Sequence, residues 1–415
     1  MAGPRPRHSA QTGRLIEIES LRGVAASSIL LFHCWLFSSA AVFTWNLGPF
    51  TAFMQPLQSG VTLFFVLSGF LLYRPVARAV LGGSSPPRVL PYLRSRALRI
   101  LPAYWVVLAV SGFVLQSSTA QFVSGRGVIP GALTDPGTLT SDLLLVQTYH
   151  ARTIWTGILP AWSLTVEVAF YLVLPLLALL AGVLAHSRAR RSPVAPALAP
   201  VAAMLLLGFV GKLAVAVLSH GPGRATGADW HAVLDRSFLT HADLFGFGMA
   251  AAFLYVVWER RSDGPPRFIS NGVTGRLLAY LGIPILVLGF YFLHPYLYDS
   301  LVALFSAVVL LRLLSPHGTR RRRSVLRHPW AIAWGRVSYS VFLWNYPVLI
   351  FLRLHGLLAS GHGATDFLRN LAVATVAVGV LSFLTYRFVE APALALKSPR
   401  PAPREAAAAP AQAPA

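Results

Sequence analysis

Residues 161–184 read AWSLTVEVAFYLVLPLLALLAGVL, and this stretch decides the fold class. Glu167 is its only charged side chain. At about 1.5 Å per residue, a helix of this length exceeds the roughly 30 Å of hydrocarbon in a bilayer. The rest of the chain agrees. Of 415 residues, 55% are apolar and 12% charged, with mean hydropathy +0.61. That is about half the charged share of a soluble domain, and it excludes a soluble enzyme, a disordered chain and a collagen-like one. Cys34 is the single cysteine, so neither an internal disulfide nor a cysteine-based metal site is available.

Outward from that stretch, apolar runs predict ten spans: 24–43, 57–73, 100–118, 161–184, 198–218, 242–258, 277–293, 296–314, 331–352 and 367–386. The expected fold is an all-α polytopic membrane protein with about ten transmembrane helices and both termini cytoplasmic. The charge supports that topology. Of the 35 Lys and Arg, 28 fall in alternate segments beginning with the N-terminus, six fall in the other segments, and Lys212 lies inside a span. This is the positive-inside pattern. It accounts for the net charge of +21 without nucleic acid, although anionic lipids are additional partners for the inner arginines. The first apolar run reads as an uncut helix rather than a signal peptide. A short cytoplasmic arm (1–14), a membrane domain (15–392) and a disordered Ala/Pro-rich tail (393–415) are expected. The longest outer loop, 119–160, is a lid or a connector.

Ionisable groups inside spans are costly and face cavities or one another. Arg22 and His33 are eleven residues apart, so they share a helix face about 16 Å apart, with Arg22 expected at the cytoplasmic rim. A rim guanidinium suits phosphate, and a buried neutral imidazole suits proton transfer from a hydroxyl. The structural alternative is a topology-setting arginine and a packed histidine. Glu167 shares a stripe with Ser163 and Tyr171, and can orient an imidazole, act as acid or base, or pair with Lys212 at similar depth. Asp243 reads as a helix-start charge. Arg96 and Arg99 lie near one face and could join Arg22 around phosphate, although on charge alone positive-inside topology is the stronger explanation. Ser68 and Gly69, at the cytoplasmic end of the second span, are small enough for close approach of a helix or ligand. No P-loop, dinucleotide fingerprint or H-E-x-x-H is present, and no metal site is expected.

Read together, the motifs resemble the acyltransferase-3 family of membrane-bound O-acyltransferases. They are Leu21-Arg22-Gly23 with His33; Phe64-Phe65-Val66-Leu67-Ser68-Gly69-Phe70; Arg96 and Arg99 with Ile100-Leu101-Pro102; Trp162-Ser163-Leu164 with Glu167; Ser338-Tyr339-Ser340 with Pro347; and Tyr386-Arg387-Phe388-Val389-Glu390. The resemblance covers roughly residues 15–392. It implies acyl-CoA, by default acetyl-CoA, as donor substrate from the cytoplasm, and no permanently bound cofactor. It implies transfer to a hydroxyl of a surface glycan, glycolipid or hydroxylated natural product, in the inner (plasma) membrane. Carried over, Arg22 and His33 are the essential first-helix pair, Arg96 and Arg99 the inner pair, and Glu167 the fourth-span acid. His33 would be the base, with Glu167 holding it or binding the acceptor. Arg22, Arg96, Arg99 and Ser68 would bind CoA, and Asn345 or Tyr339 would supply oxyanion donors. Asn345 stands where many relatives carry His, and many relatives add a C-terminal esterase-like domain, which is not expected here. A proton-coupled transporter is the competing reading.

Overall fold

The computed structural model describes residues 8–38, 49–124, 127–187, 192–218, 227–261, 266, 269, 271–315, 325–359 and 363–397. The arm before His8, most of the Arg320–Arg323 loop region and the tail after Lys397 lie outside them. The long helices are α1 (His8–Ser38), α2 (Gly60–Leu81), α3 (Val89–Ala109), α4 (Trp162–Ser187), α5 (Val194–Leu218) and α6 (Phe238–Arg260). After them come α7 (Gly272–Tyr280), α8 (Gly282–Phe292), α9 (Pro295–Leu314), α10 (Pro329–Leu354) and α11 (Ala364–Thr385). The all-α polytopic expectation holds.

Among the described residues, nine helices are individually long and apolar enough to span a bilayer. The expected seventh span is instead the pair α7 and α8. Pro284 has no N–H for the carbonyl of Tyr280, so the helix breaks there. Bonding continues on either side, from Leu281 N to Leu277 O at 2.8 Å and from Ile285 N to Leu281 O at 2.9 Å. Residues 272–292 therefore make one broken crossing, and ion pairs between helix ends require it. Glu17 near the start of α1 meets Arg327 before α10 at 2.9 Å, and Arg99 on α3 meets Glu390 after α11 at 3.4 Å. Arg78 and Glu259 tie the ends of α2 and α6 at 2.6 Å. The first and last helix ends thus lie together, at what we term the basic end, which needs an even number of crossings.

The first candidate span among the described residues is Ile16–Ser38, within α1. Glu17, which precedes the first apolar run of the sequence, is buried against Arg327.

Helices α2, α6 and α10 are the most buried, whereas α4, α5 and α11 turn apolar side chains such as Leu176 and Leu206 outward. The α2–α6 contact is so close that a Cβ on Gly69 would strike the Phe245 carbonyl, and one on Gly248 the Val66 carbonyl. Small residues at such crossings let backbones approach where lipid gives no hydrophobic drive for helix association. Asp243, expected as a helix-start charge, is instead fully buried and bonds Lys212 Nζ at 2.5 Å, while Ser300 Oγ lies 2.7 Å from the ammonium and 2.6 Å from the carboxylate. This clamp joins α5, α6 and α9, and it replaces the expected Glu167–Lys212 pair.

Opposite the basic end, residues 118–124 and 127–158 form a cap. Strands β1 (Ser118–Val123) and β2 (Gly127–Gly131) pair antiparallel, and a short helix, Pro136–Leu143, starts on Asp135, which accepts from Thr138 N at 2.8 Å. Asp142 is buried behind the turn at Gly157, whose φ of +71° admits glycine readily. Thr156 Oγ1 donates to the Asp142 carboxyl at 3.1 Å, and burial pushes that carboxyl up to about 7.

Candidate active site

Arg22 and His33 project from one face of α1, as their spacing predicts. His33 is half-buried, and its Nδ1 hydrogen-bonds Asn345 Oδ1. The amide cannot be turned around, because Asn345 Nδ2 donates to the Phe342 carbonyl at 2.5 Å and the Val341 carbonyl at 3.3 Å. With its oxygen facing the ring, Nδ1 must carry the hydrogen, so in the neutral imidazole Nε2 is the basic nitrogen. Tyr346 meets the ring edge-on, with centroids 5.1 Å apart. Asn345 thus acts on His33, and its N–H groups are held by backbone carbonyls rather than offered to an oxyanion.

His33 faces a cavity of about 340 Å³ that runs to the far end of the bundle. Phe65, Trp162, His241, Tyr298 and Trp155 wall it. Trp155 comes from the cap, stacked on Phe122 and covered by the Arg236 guanidinium 3.9 Å from its ring centre.

On the opposite side of His33 the bundle is charged. Arg22 lies within electrostatic reach of Arg99, Glu167, Tyr171 and Glu390. Glu167 accepts from Ser68 and from Tyr171, each at 2.6 Å. Its expected partners were His33 or Lys212, and it bonds neither. Ser68 is mid-helix, because α2 continues to Leu81. Glu390, besides Arg99, accepts from Ser340. Tyr339 donates its hydroxyl to the Ile100 carbonyl at 2.9 Å, which commits it to the α3–α10 contact rather than to the reacting atoms. Arg96 reaches only Ser95, at 3.2 Å, and the Nε atoms of Arg22 and Arg96 are buried with no hydrogen-bond acceptor among the described residues. Lys397, just past the last span, senses the cluster: burial, then Arg96, Arg99 and Arg22, push its ammonium down to about 8.

The arrangement therefore offers an oriented imidazole between an anion-seeking arginine cluster and an aromatic cavity. The profile of the family described as Acyltransferase domain matches residues 15–387. The chain belongs to the acyltransferase-3 family. It is accordingly a membrane-bound O-acyltransferase, which removes the transporter alternative. Relatives include a protein named as a membrane-bound transacylase, BcsY, from Komagataeibacter xylinus, 24% identical over 90% of this chain and 81% of the relative. The acyltransferase MdmB of Streptomyces mycarofaciens is 25% identical over 92% of this chain and 93% of its own length. A Bacillus subtilis protein named as a peptidoglycan O-acetyltransferase, YrhL, is 24% identical over 93% of this chain, which spans 56% of that relative. No solved structure matches the chain.

The family motifs gather at this site, but three contributors escaped sequence reasoning. Glu390 lies in a recognised motif, yet its pairing with Arg99 joins residues 291 positions apart. Lys397 stands among tail residues. His241 has no local motif and reaches the cavity only because α6 packs against α2.

Proposed function

We propose that this acyltransferase-3 protein moves an acyl group, acetyl by default, from acyl-CoA at the basic end to a hydroxyl held in the far-end cavity. The observation that carries the reading is the position of His33, with Nδ1–H committed to Asn345, at the boundary between the arginine cluster and the cavity. In this reading the basic end faces the cytoplasm of a cell whose inner (plasma) membrane holds the protein, in keeping with the positive-inside charge pattern. Arg22, Arg96 and Arg99 bind the anionic groups of CoA, for which the unpartnered guanidinium N–H groups are suited. Ser68 and Glu167 belong to this donor side, with Glu167 balancing Arg22.

The acceptor oxygen attacks the thioester carbonyl carbon while His33 Nε2 takes the hydroxyl proton. The tetrahedral intermediate collapses with cleavage of the C–S bond, and the imidazolium returns the proton to the departing thiolate. Charge balance needs no further cofactor. A glycan, glycolipid or hydroxylated natural product fits the cavity as acceptor, and the relative named as a peptidoglycan O-acetyltransferase supports a surface sugar.

The test compares membranes holding wild type or His33→Ala at equal expression, supplied with acyl-labelled acetyl-CoA on the basic-end side. Wild type labels a glycan, lipid or small-molecule fraction, and His33→Ala lowers transfer at least about 10³-fold while retaining CoA binding. Equal transfer by the variant removes His33 from the chemistry.

A further inference from the structure

The basic side holds a further buried polar group that neither the family motifs nor the transfer step uses. Tyr92 stands in the first turn of α3, half-buried, and its hydroxyl oxygen is shielded from solvent with no hydrogen-bond partner among the described residues. Arg96 follows it by four residues and Arg99 by seven, so the three side chains leave one face of the helix. The hydroxyl lies within electrostatic reach of Arg96 and Glu167, yet it bonds neither. Glu167 already accepts from Ser68 and Tyr171.

A phenol can donate or accept, so its surroundings decide which. The cluster it joins brings four basic side chains, Arg22, Arg96, Arg99 and Lys397, against two carboxylates, Glu167 and Glu390. The Nε atoms of Arg22 and Arg96 are likewise buried with no acceptor among the described residues, and a guanidinium only donates. Unfilled donors beside an excess of positive charge call for negatively charged oxygen, to which a hydroxyl also donates strongly. We infer that Tyr92 is a donor-binding residue whose hydroxyl gives a hydrogen bond to a phosphate oxygen of acyl-CoA, next to Arg96. This deepens the acyl-transfer reading and rests on it. The hydroxyl has no protein bond to lose, so removing it costs the empty protein nothing and costs the complex one charge-assisted bond. A lipid headgroup phosphate offers the same chemistry, whereas the thiol arm of CoA does not.

The test uses the full chain in phosphatidylcholine nanodiscs. Competition against radiolabelled CoA compares CoA with pantetheine, which keeps the thiol arm and carries no phosphate. Tyr92→Phe is expected to weaken CoA about tenfold and to leave pantetheine within about twofold. Without ligand, the variant is expected to unfold at the wild-type temperature. The inference is overturned if CoA binding is unchanged, or if CoA and pantetheine weaken by the same factor. It is equally overturned if the ligand-free variant is destabilised or does not fold, because the hydroxyl would then have a partner within the protein. Weaker retention of phosphatidylglycerol with CoA binding intact would assign the hydroxyl to lipid phosphate instead. Absence of measurable CoA binding by wild type rejects the acyl-CoA reading itself.

Discussion

The two regions that meet at His33 are satisfied to different degrees. On the basic side, the Arg22, Arg96 and Arg99 guanidiniums stand against Glu167 and Glu390, and two guanidinium nitrogens are buried without an acceptor among the described residues. On the far side, the imidazoles of His33 and His241 are already oriented, one by an amide and the other by a carbonyl and a hydroxyl. Buried donors left unpaired are expensive unless a ligand completes them, whereas a fully oriented ring is ready to align a neutral ligand without reorganising. One region is built to receive charge and the other to hold geometry.

The largest effect short of removing His33 is expected at Arg22. Arg22→Ala should raise the KM for acyl-CoA about 10²-fold, the loss of charge-assisted hydrogen bonds, and move the acceptor KM far less. Steady-state kinetics with each substrate varied will read this, and a change confined to the acceptor would reverse the assignment of the two sides. Next is Asn345. Asn345→Leu should lower kcat about 10- to 50-fold by releasing the His33 ring, with little change in the KM for acyl-CoA. Asn345→His, which can still accept from Nδ1, should recover most of it. An unchanged kcat in the leucine variant would mean the tautomer is set elsewhere.

The smallest effect tests whether the cap that carries Trp155 responds to pH on its own. The Asp142 carboxyl is raised to about 7, far above its value in an unfolded chain. The folded cap therefore binds more protons than the unfolded one between about pH 4 and 7, and its stability falls as pH rises through that window, levelling off above it. Hydrogen exchange across residues 118–158 should become faster by about tenfold or more between those limits, and Asp142→Asn should flatten the profile. A pH-independent wild-type cap would show that Asp142 is ionised throughout.

Much of the membrane architecture was legible because a bilayer imposes a length and a charge asymmetry that any reader of the chain can measure. The apolar runs located the spans, and the break at Pro284 only divided one of them. The eleven-residue interval of Arg22 and His33 put both on one face, since helical periodicity is local. Apart from Ser68, which lies mid-helix rather than at a helix end, the failures concern lateral neighbours. Lys212 and Glu167 seemed matched in depth, but depth along two helices does not say which helices touch. The close α5–α6 crossing, where a Cβ on Gly208 would strike Asp243, gave Lys212 a different carboxylate.

The sequence by itself determined the helical membrane class, the basic and far ends, the family motifs and the face shared by Arg22 and His33, because these follow from hydropathy, charge and the 3.6-residue turn. Only the tertiary structure decided that Asn345 holds His33, that Glu167 sits with the arginines, and that His241 enters the same cavity. Those pairings join residues as many as 312 positions apart, and the close packing of helix against helix selects them.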